Sequence, residues 1–156
     1  GRPGNCVVSR RLPGLRARYR SRGCAIDGFG AALKADPSCA MAEWGIALSR
    51  WSNPFAAGIR PAAVLQQGRA AVGRARAIGT KTERERAYVD AVSRLYDDFE
   101  KTGQPDRMRA YRDAMSKVAA AYPNDSEAAI FYALSIAAAA SSRATATASP
   151  TKRTQP

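Results

Sequence analysis

The 156-residue sequence contains no histidine. That absence removes the side chain that most readily shuttles protons near neutral pH, the Ser-His and Cys-His nucleophile pairs, and every zinc site that uses histidine. Cysteine is scarce as well, with only Cys6, Cys24 and Cys39. Three thiols at irregular intervals make neither a zinc knuckle nor a disulfide framework. A bridge from Cys6 to Cys24 is one arrangement, and unpaired thiols are the expectation. No uninterrupted apolar run of about 18 residues exists, and the Ala-rich stretch from Ala128 to Ala140 is too short for a bilayer core of roughly 30 Å. No membrane span is expected. The sequence starts at Gly1 without a basic segment leading into an apolar one, so no signal peptide is visible. Nothing in the residues sets the compartment.

Acids are missing from both ends. Residues 1–24 hold seven arginines (Arg2, Arg10, Arg11, Arg16, Arg18, Arg20 and Arg22), and residues 141–156 add Arg143, Lys152 and Arg153, with no acid in either stretch. Of the 25 basic residues, 15 therefore remain in the middle against all 13 acids. The net charge of +12 belongs to the flanks, while the centre has an ordinary balance. An Arg-rich arm neutralises phosphates and gains affinity by counterion release, so residues 1–24 carry the one nucleic-acid reading, although Tyr19 is their only aromatic residue. Pro13-Gly14 interrupts any amphipathic helix there. Residues 141–156 turn to Ser, Thr, Ala and Pro, a composition that buries too little apolar surface to offset ordering. The expected organisation is a poorly ordered basic arm over 1–24, a helical domain over 25–140, and a disordered tail over 141–156.

What the middle does contain is helical periodicity. With 46% hydrophobic residues overall there is enough apolar material for a core. Apolar residues recur at steps of three and four from Ala25 to Ala140, with almost no strand-like alternation. Ile26, Phe29, Ala32 and Leu33 form a first stripe, ended by Asp36-Pro37, since a residue before proline resists helical backbone. Ser38 is placed to cap a second helix carrying Met41, Trp44, Leu48 and Trp51 on one face. Asn53-Pro54 ends that helix. Pro61 suits the first turn of a third, with Leu65, Gly68, Val72 and Ala75 inward, up to Gly79. Thr82 with Glu85 reads as a capping box opening a fourth helix, which carries Tyr88, Val92, Leu95 and Phe99 and runs about twenty residues, to Gly103. Asp106 opens a fifth with Met108, Tyr111, Met115 and Val118 inward, stopped by Tyr122-Pro123. A sixth starts near Asp125 or Ser126. Its Ile130, Phe131, Tyr132 and Leu134 encircle the axis, which suits burial between neighbours if another helix follows. The fold class is all-α, an array of about six helices in antiparallel pairs.

Within this frame Ala25, Phe29, Ala32 and Pro37 stand as small residue, aromatic four later, small residue three later and proline five later. Ile46 and Ala47 follow on the next helix. This constellation resembles the tetratricopeptide repeat (TPR), in which small residues let two helices approach within about 8 to 10 Å and proline forces the turn. The third helix keeps Gly68, Val72 and Ala75 with Thr80 in place of proline, and the fifth keeps Tyr111, Met115, Val118 and Pro123. The segments Asp36-Pro37-Ser38-Cys39-Ala40-Met41-Ala42, Trp44-Gly45-Ile46-Ala47, Lys81 through Arg86, and Tyr122-Pro123-Asn124-Asp125 through Leu134 are similar to bacterial TPR proteins. The resemblance implies an α-solenoid of helical hairpins that binds a partner, and it names no substrate. It also implies a further helix before Ala25 and others after Ala140. The abrupt change of composition at each boundary fits a truncated or frame-shifted product with flanks foreign to the fold and no function of its own; a genuine Arg-rich arm is the competing reading.

No nucleophile elbow, phosphate-cradling glycine loop or dinucleotide fingerprint is present, so no catalytic residue, cofactor or metal ligand is assigned. An enzyme would have to work with carboxylates or lysines alone. Asp97, Asp98 and Glu100 sit too close together on one helix to converge on a metal, and Lys81 to Arg86 reads as a solvated face. The expected function is a protein-interaction scaffold that holds a peptide or protein in a TPR-like groove. Met41, Trp44, Leu48 and Trp51 are the candidate partner-binding residues, with plain core packing as the alternative for the same four. The loop from Ser52 to Arg60 is long enough to take part. Ala25, Phe29, Ala32, Pro37, Ile46 and Ala47 are the expected packing residues. The sequence sets no oligomeric state.

Overall fold

The computed structural model describes residues 22–51 and 58–147, so most of the basic arm, much of the Ser52–Arg60 loop and the last part of the tail lie outside the described residues. Within them the chain is all-α: α1 (Arg22–Ala35), α2 (Ala40–Trp51), α3 (Ala62–Ile78), α4 (Glu83–Ser93), α5 (Gln104–Ala121) and α6 (Ser126–Thr147). Consecutive helices pack on each other, and α2 also packs on α4. Glu43 on α2 meets Arg74 at one end of α3, while Ala47 shares Tyr96 with Gly68 nearer the other end, so α2 and α3 run antiparallel.

Between α1 and α2 the turn is organised by Asp36. Its Oδ1 accepts from the Ser38 amide at 3.0 Å and from the Ser38 hydroxyl at 2.6 Å. The expectation that Ser38 caps α2 is corrected here: the helix starts two residues later, at Ala40, and the Ser38 hydroxyl bonds back to Asp36, with no helix amide donating to it among the described residues. Pro37 is exposed in the turn. The end of the Phe29 ring closes on Gly45, where any side chain would collide with it. Ile46 and Ala47 are buried, whereas Ala25, Phe29 and Ala32 are partly covered.

Leu65, Gly68, Val72 and Ala75 are buried on α3, as their spacing requires. Gly79 ends that helix at φ 84°, a conformation that favours glycine, and its amide closes on the Ala75 carbonyl. Thr82 caps α4 through Glu85, whose amide donates to Oγ1 at 3.1 Å. The Glu85 carboxylate takes the Lys81 amide at 2.7 Å and not that of Thr82, a box widened by one residue.

The fourth helix is shorter than its pattern predicts. After Ser93 the chain runs in tight turns to Lys101, with Asp98 at φ 45°. The cause is distant in sequence. Arg107, only 3% exposed, donates Nη1 to the Leu95 carbonyl at 2.5 Å, an acceptor that a continuous helix would fill from its own amides, and Nε to the Thr102 carbonyl at 3.2 Å. Leu95 and Tyr96 are nevertheless fully buried.

On α5, Met108, Tyr111, Met115 and Val118 all face the core. The sixth helix starts at Ser126, its first turn held by Asp125, and it continues to Thr147, seven residues past the boundary expected at Ala140. Ile130, Leu134 and Ile136 stay exposed on it. Cys39 is disulfide-bonded, which corrects the expectation of unpaired thiols. Spacing along the chain carries no information on this, since bridging depends on Cα atoms lying about 4.4–6.8 Å apart in space.

Candidate partner-binding pocket

The four candidates on α2 do share one face, and that face turns towards α4, α5 and α6 without lying open to solvent. Trp44 is half-buried, with its indole edge-on to Tyr88 at 5.5 Å and to Phe131 at 5.4 Å between ring centres. Trp51 is 2% exposed and edge-on to Tyr96 at 5.9 Å. Met41 and Leu48 are partly buried against the core. The packing alternative therefore accounts for much of Trp44 and Met41.

Leu48 and Trp51 have a second role in the geometry, because beside them lies an apolar pocket of about 210 Å³. Met108 and Tyr111 of α5 form its second wall. The third wall is α6, which contributes Phe131, Leu134, Ser135 and Ala138. Met41 and Trp44 stand outside it. Leu134 is 39% exposed at the mouth, and Ile130, one turn earlier on the same face of α6, is 51% exposed, so the apolar surface runs from the pocket onto the outside of the helix.

Polar groups at the pocket are few. The Ser135 hydroxyl donates to the Tyr132 carbonyl at 2.6 Å within its own helix. Tyr111 is 6% exposed, burial pushes its phenol above the ordinary range, and its hydroxyl has no hydrogen-bond partner among the described residues. The Trp51 indole N–H is buried and likewise without a partner among them. Arginine surrounds that tryptophan on the side of Tyr96: Arg60 and Arg107 lie 5.5 and 5.6 Å from its ring centre, and the Nε of Arg60 donates to its carbonyl at 2.8 Å. Burial raises the Tyr96 phenol well above its usual range against the pull of Arg107, Arg60 and Arg50, and its hydroxyl donates to the Ala47 carbonyl at 2.5 Å.

The wall formed by α6 is fixed from α4. Asp125 Oδ2 accepts from Arg84 Nε at 2.6 Å and from the Tyr88 hydroxyl at 2.8 Å. The Arg84 hydrogen bond, with Tyr88 adding to it, holds the Asp125 carboxyl down to about 2. Since Tyr88 also packs on Trp44 and Phe131, one cluster ties α2, α4 and α6 together beside the pocket. A broader depression of about 500 Å³ borders this cluster, between Arg84 and the turn from Ala121 to Asp125, but its two charged groups are already joined to each other.

Among the described residues no three acidic or cysteine side chains converge as metal ligands, and no helix is long and apolar enough to cross a membrane. No family model, curated protein or solved structure gives a significant match to the chain. Sequence reasoning found two residues of the pocket and missed its centre. Met108 and Tyr111 were legible as an inward stripe, and Phe131 and Leu134 as apolar residues, but nothing local showed that the three helices leave a gap between them.

Proposed function

We propose that this chain is a helical scaffold that binds a peptide or protein partner and performs no catalysis. The observation that carries this reading is the apolar pocket between α2, α5 and α6, which continues through Leu134 onto exposed Ile130. A buried socket beside an exposed apolar ridge is the arrangement that concentrates binding energy in a few anchors, with the surrounding contacts excluding water. The resemblance of Ala25, Phe29, Ala32 and Pro37 to a tetratricopeptide repeat supports the same reading, because helical-pair arrays expose binding surfaces along their length. So does the fate of the charges on the helical body: most of its acids are joined to arginines or lysines, leaving an apolar site as its distinctive surface.

Selection of peptides from a random displayed library against the full chain tests this. Peptides that bind the unaltered chain are then measured against Leu134→Asp, which places a charge at the mouth without touching the buried core. A loss of at least tenfold in affinity is expected. Peptides that bind both proteins equally well would remove the pocket from the function.

A further inference from the structure

We infer that the outer face of α6 is a self-association surface, through which two copies of this chain pair α6 against α6, antiparallel, about a two-fold axis near the middle of the helix. The inference rests on the scaffold reading and deepens it, since it names a second copy as the partner that meets the apolar mouth of the pocket.

Charge selects the occupant. From Ala128 to Ser141 the sequence of α6 contains no charged residue. One side of the helix meets the core through Ala128, Ser135 and Ala138, and the other side exposes Ile130, Leu134 and Ile136. Among the described residues the only other large apolar side chain so open to solvent is Ile59. A helix that is apolar on every side is one that is covered on every side. The exposed faces of the other helices carry ions, such as Lys34 on α1, Arg69 on α3, Asp90 on α4 and Asp113 on α5. Setting α6 of one copy against any of these would take a charge out of water with no opposite charge on α6 to receive it. The outer face of α6 itself is the one exposed helix face among the described residues that brings no charge to the contact.

The shape of the face fits its own copy. In helical projection Ala129, Ala133, Ala137 and Ala140 occupy its middle, with Ile130 and Leu134 along one edge and Ile136 along the other. A two-fold axis that sets two helices antiparallel keeps each edge on its own side. With that axis level with residue 135, Leu134 lies beside Leu134 of the second copy, and Ile136 lies beside Ile136 on the opposite edge. The alanines between them let the helix axes approach to about 8 Å, the close end of helix packing. Because Leu134 stands at the mouth of the pocket, the pairing closes that mouth. Area sets the strength: one helix face offers a few hundred Å² per copy, against the roughly 800 Å² per partner of a standard stable interface. Association is therefore of micromolar class.

Sedimentation equilibrium of the full chain tests this, in about 0.15 M salt so that the net charge of +12 is screened over about 8 Å. Across about 1–500 µM a monomer–dimer equilibrium is expected, with a midpoint on the order of 10–100 µM and no larger species, because a two-fold contact closes at two copies. Ala137→Glu and Ala137→Lys each bring like charges into the seam from both copies, and each should weaken the dimer at least tenfold. Mixed together, the two variants should associate again as opposite charges meet. Position 137 is exposed, and thermal unfolding verifies that both variants fold. Ala70→Glu, on the exposed side of α3, should leave the dimer unchanged. The inference is overturned if the chain stays monomeric across this range, if it assembles beyond two copies, if either Ala137 variant associates as tightly as the unaltered chain, or if mixing them recovers nothing. Library-selected peptides that bind a chain which stays monomeric leave the scaffold reading standing and remove the second copy alone. A dimer that forms while no library peptide binds supports the inference and confines the scaffold reading to self-association.

Discussion

The ring of Tyr96 lies on the backbone of Gly68, so close that α3 admits no side chain at that position. The phenol is anchored at its far end by the Ala47 carbonyl, and the ring is fully buried against Trp51. The helices α2 and α3 thus meet the turn after α4 through one aromatic residue.

A methyl group at Gly68 has nowhere to go. Alanine gains up to about 1 kcal/mol of helix propensity over glycine, but forcing atoms into a packed core costs about 1–3 kcal/mol, and a ring pinned at both ends yields little. Gly68→Ala should therefore lower stability by about 1–2 kcal/mol in urea unfolding. The same change at Gly73, where nothing stands near the new methyl, should leave stability unchanged or raise it.

Stability should also fall in acid through Asp125. Its folded carboxyl is held at about 2 by Arg84 and Tyr88, below the ordinary aspartate value of about 3.9. A depressed folded value means that the contribution is complete above the unfolded value and is lost as pH falls from about 4 towards 2. Chemical unfolding measured across that range should show a decline that is shallower in Asp125→Asn. At pH 7 that variant should be less stable by about 1–2 kcal/mol, the scale of a hydrogen bond to a charged group.

Two tyrosines make opposite predictions. The Tyr88 hydroxyl donates to a carboxylate, so Tyr88→Phe should lose about 1–2 kcal/mol. The Tyr111 hydroxyl has no partner among the described residues, so Tyr111→Phe should change stability by less than about 0.5 kcal/mol, or raise it. Thermal unfolding of the two variants side by side reads the difference directly.

Thr82→Ala removes the one side-chain oxygen that accepts the Glu85 amide at the start of α4. A loss of about 1 kcal/mol is expected, and Thr82→Ser should recover most of it.

How much of this was legible in the residues depends on how local each feature is. Leu65, Val72, Tyr88, Val92, Met108 and Met115 were read as buried from their spacing, and they are, because helical periodicity is written along the chain itself. The end of α4 was not legible. Leu95 and Phe99 continue the helical spacing beyond Ser93, while the guanidinium that captures the Leu95 carbonyl belongs to Arg107, twelve residues on. Ser38 looked like a cap by its type and place, but α2 starts two residues later and the hydroxyl bonds back to Asp36. The α2 face was found as a set of four, yet its residues divide by what α6 brings against them: Phe131 covers Trp44, while Leu134 and Ala138 leave space beside Leu48 and Trp51. Ile130 and Leu134 were read as residues suited to burial, and their exposure is the other half of the apolar surface on which the functional reading rests.

The most direct test is an intermolecular NOE experiment between an unlabelled, library-selected peptide and the full chain labelled at its methyl groups. The account predicts cross-peaks from the peptide to Leu48, Met108 and Leu134, with Ile130 at the rim. Cross-peaks confined to surfaces away from these residues, such as Ile59, with none to the pocket, would contradict it.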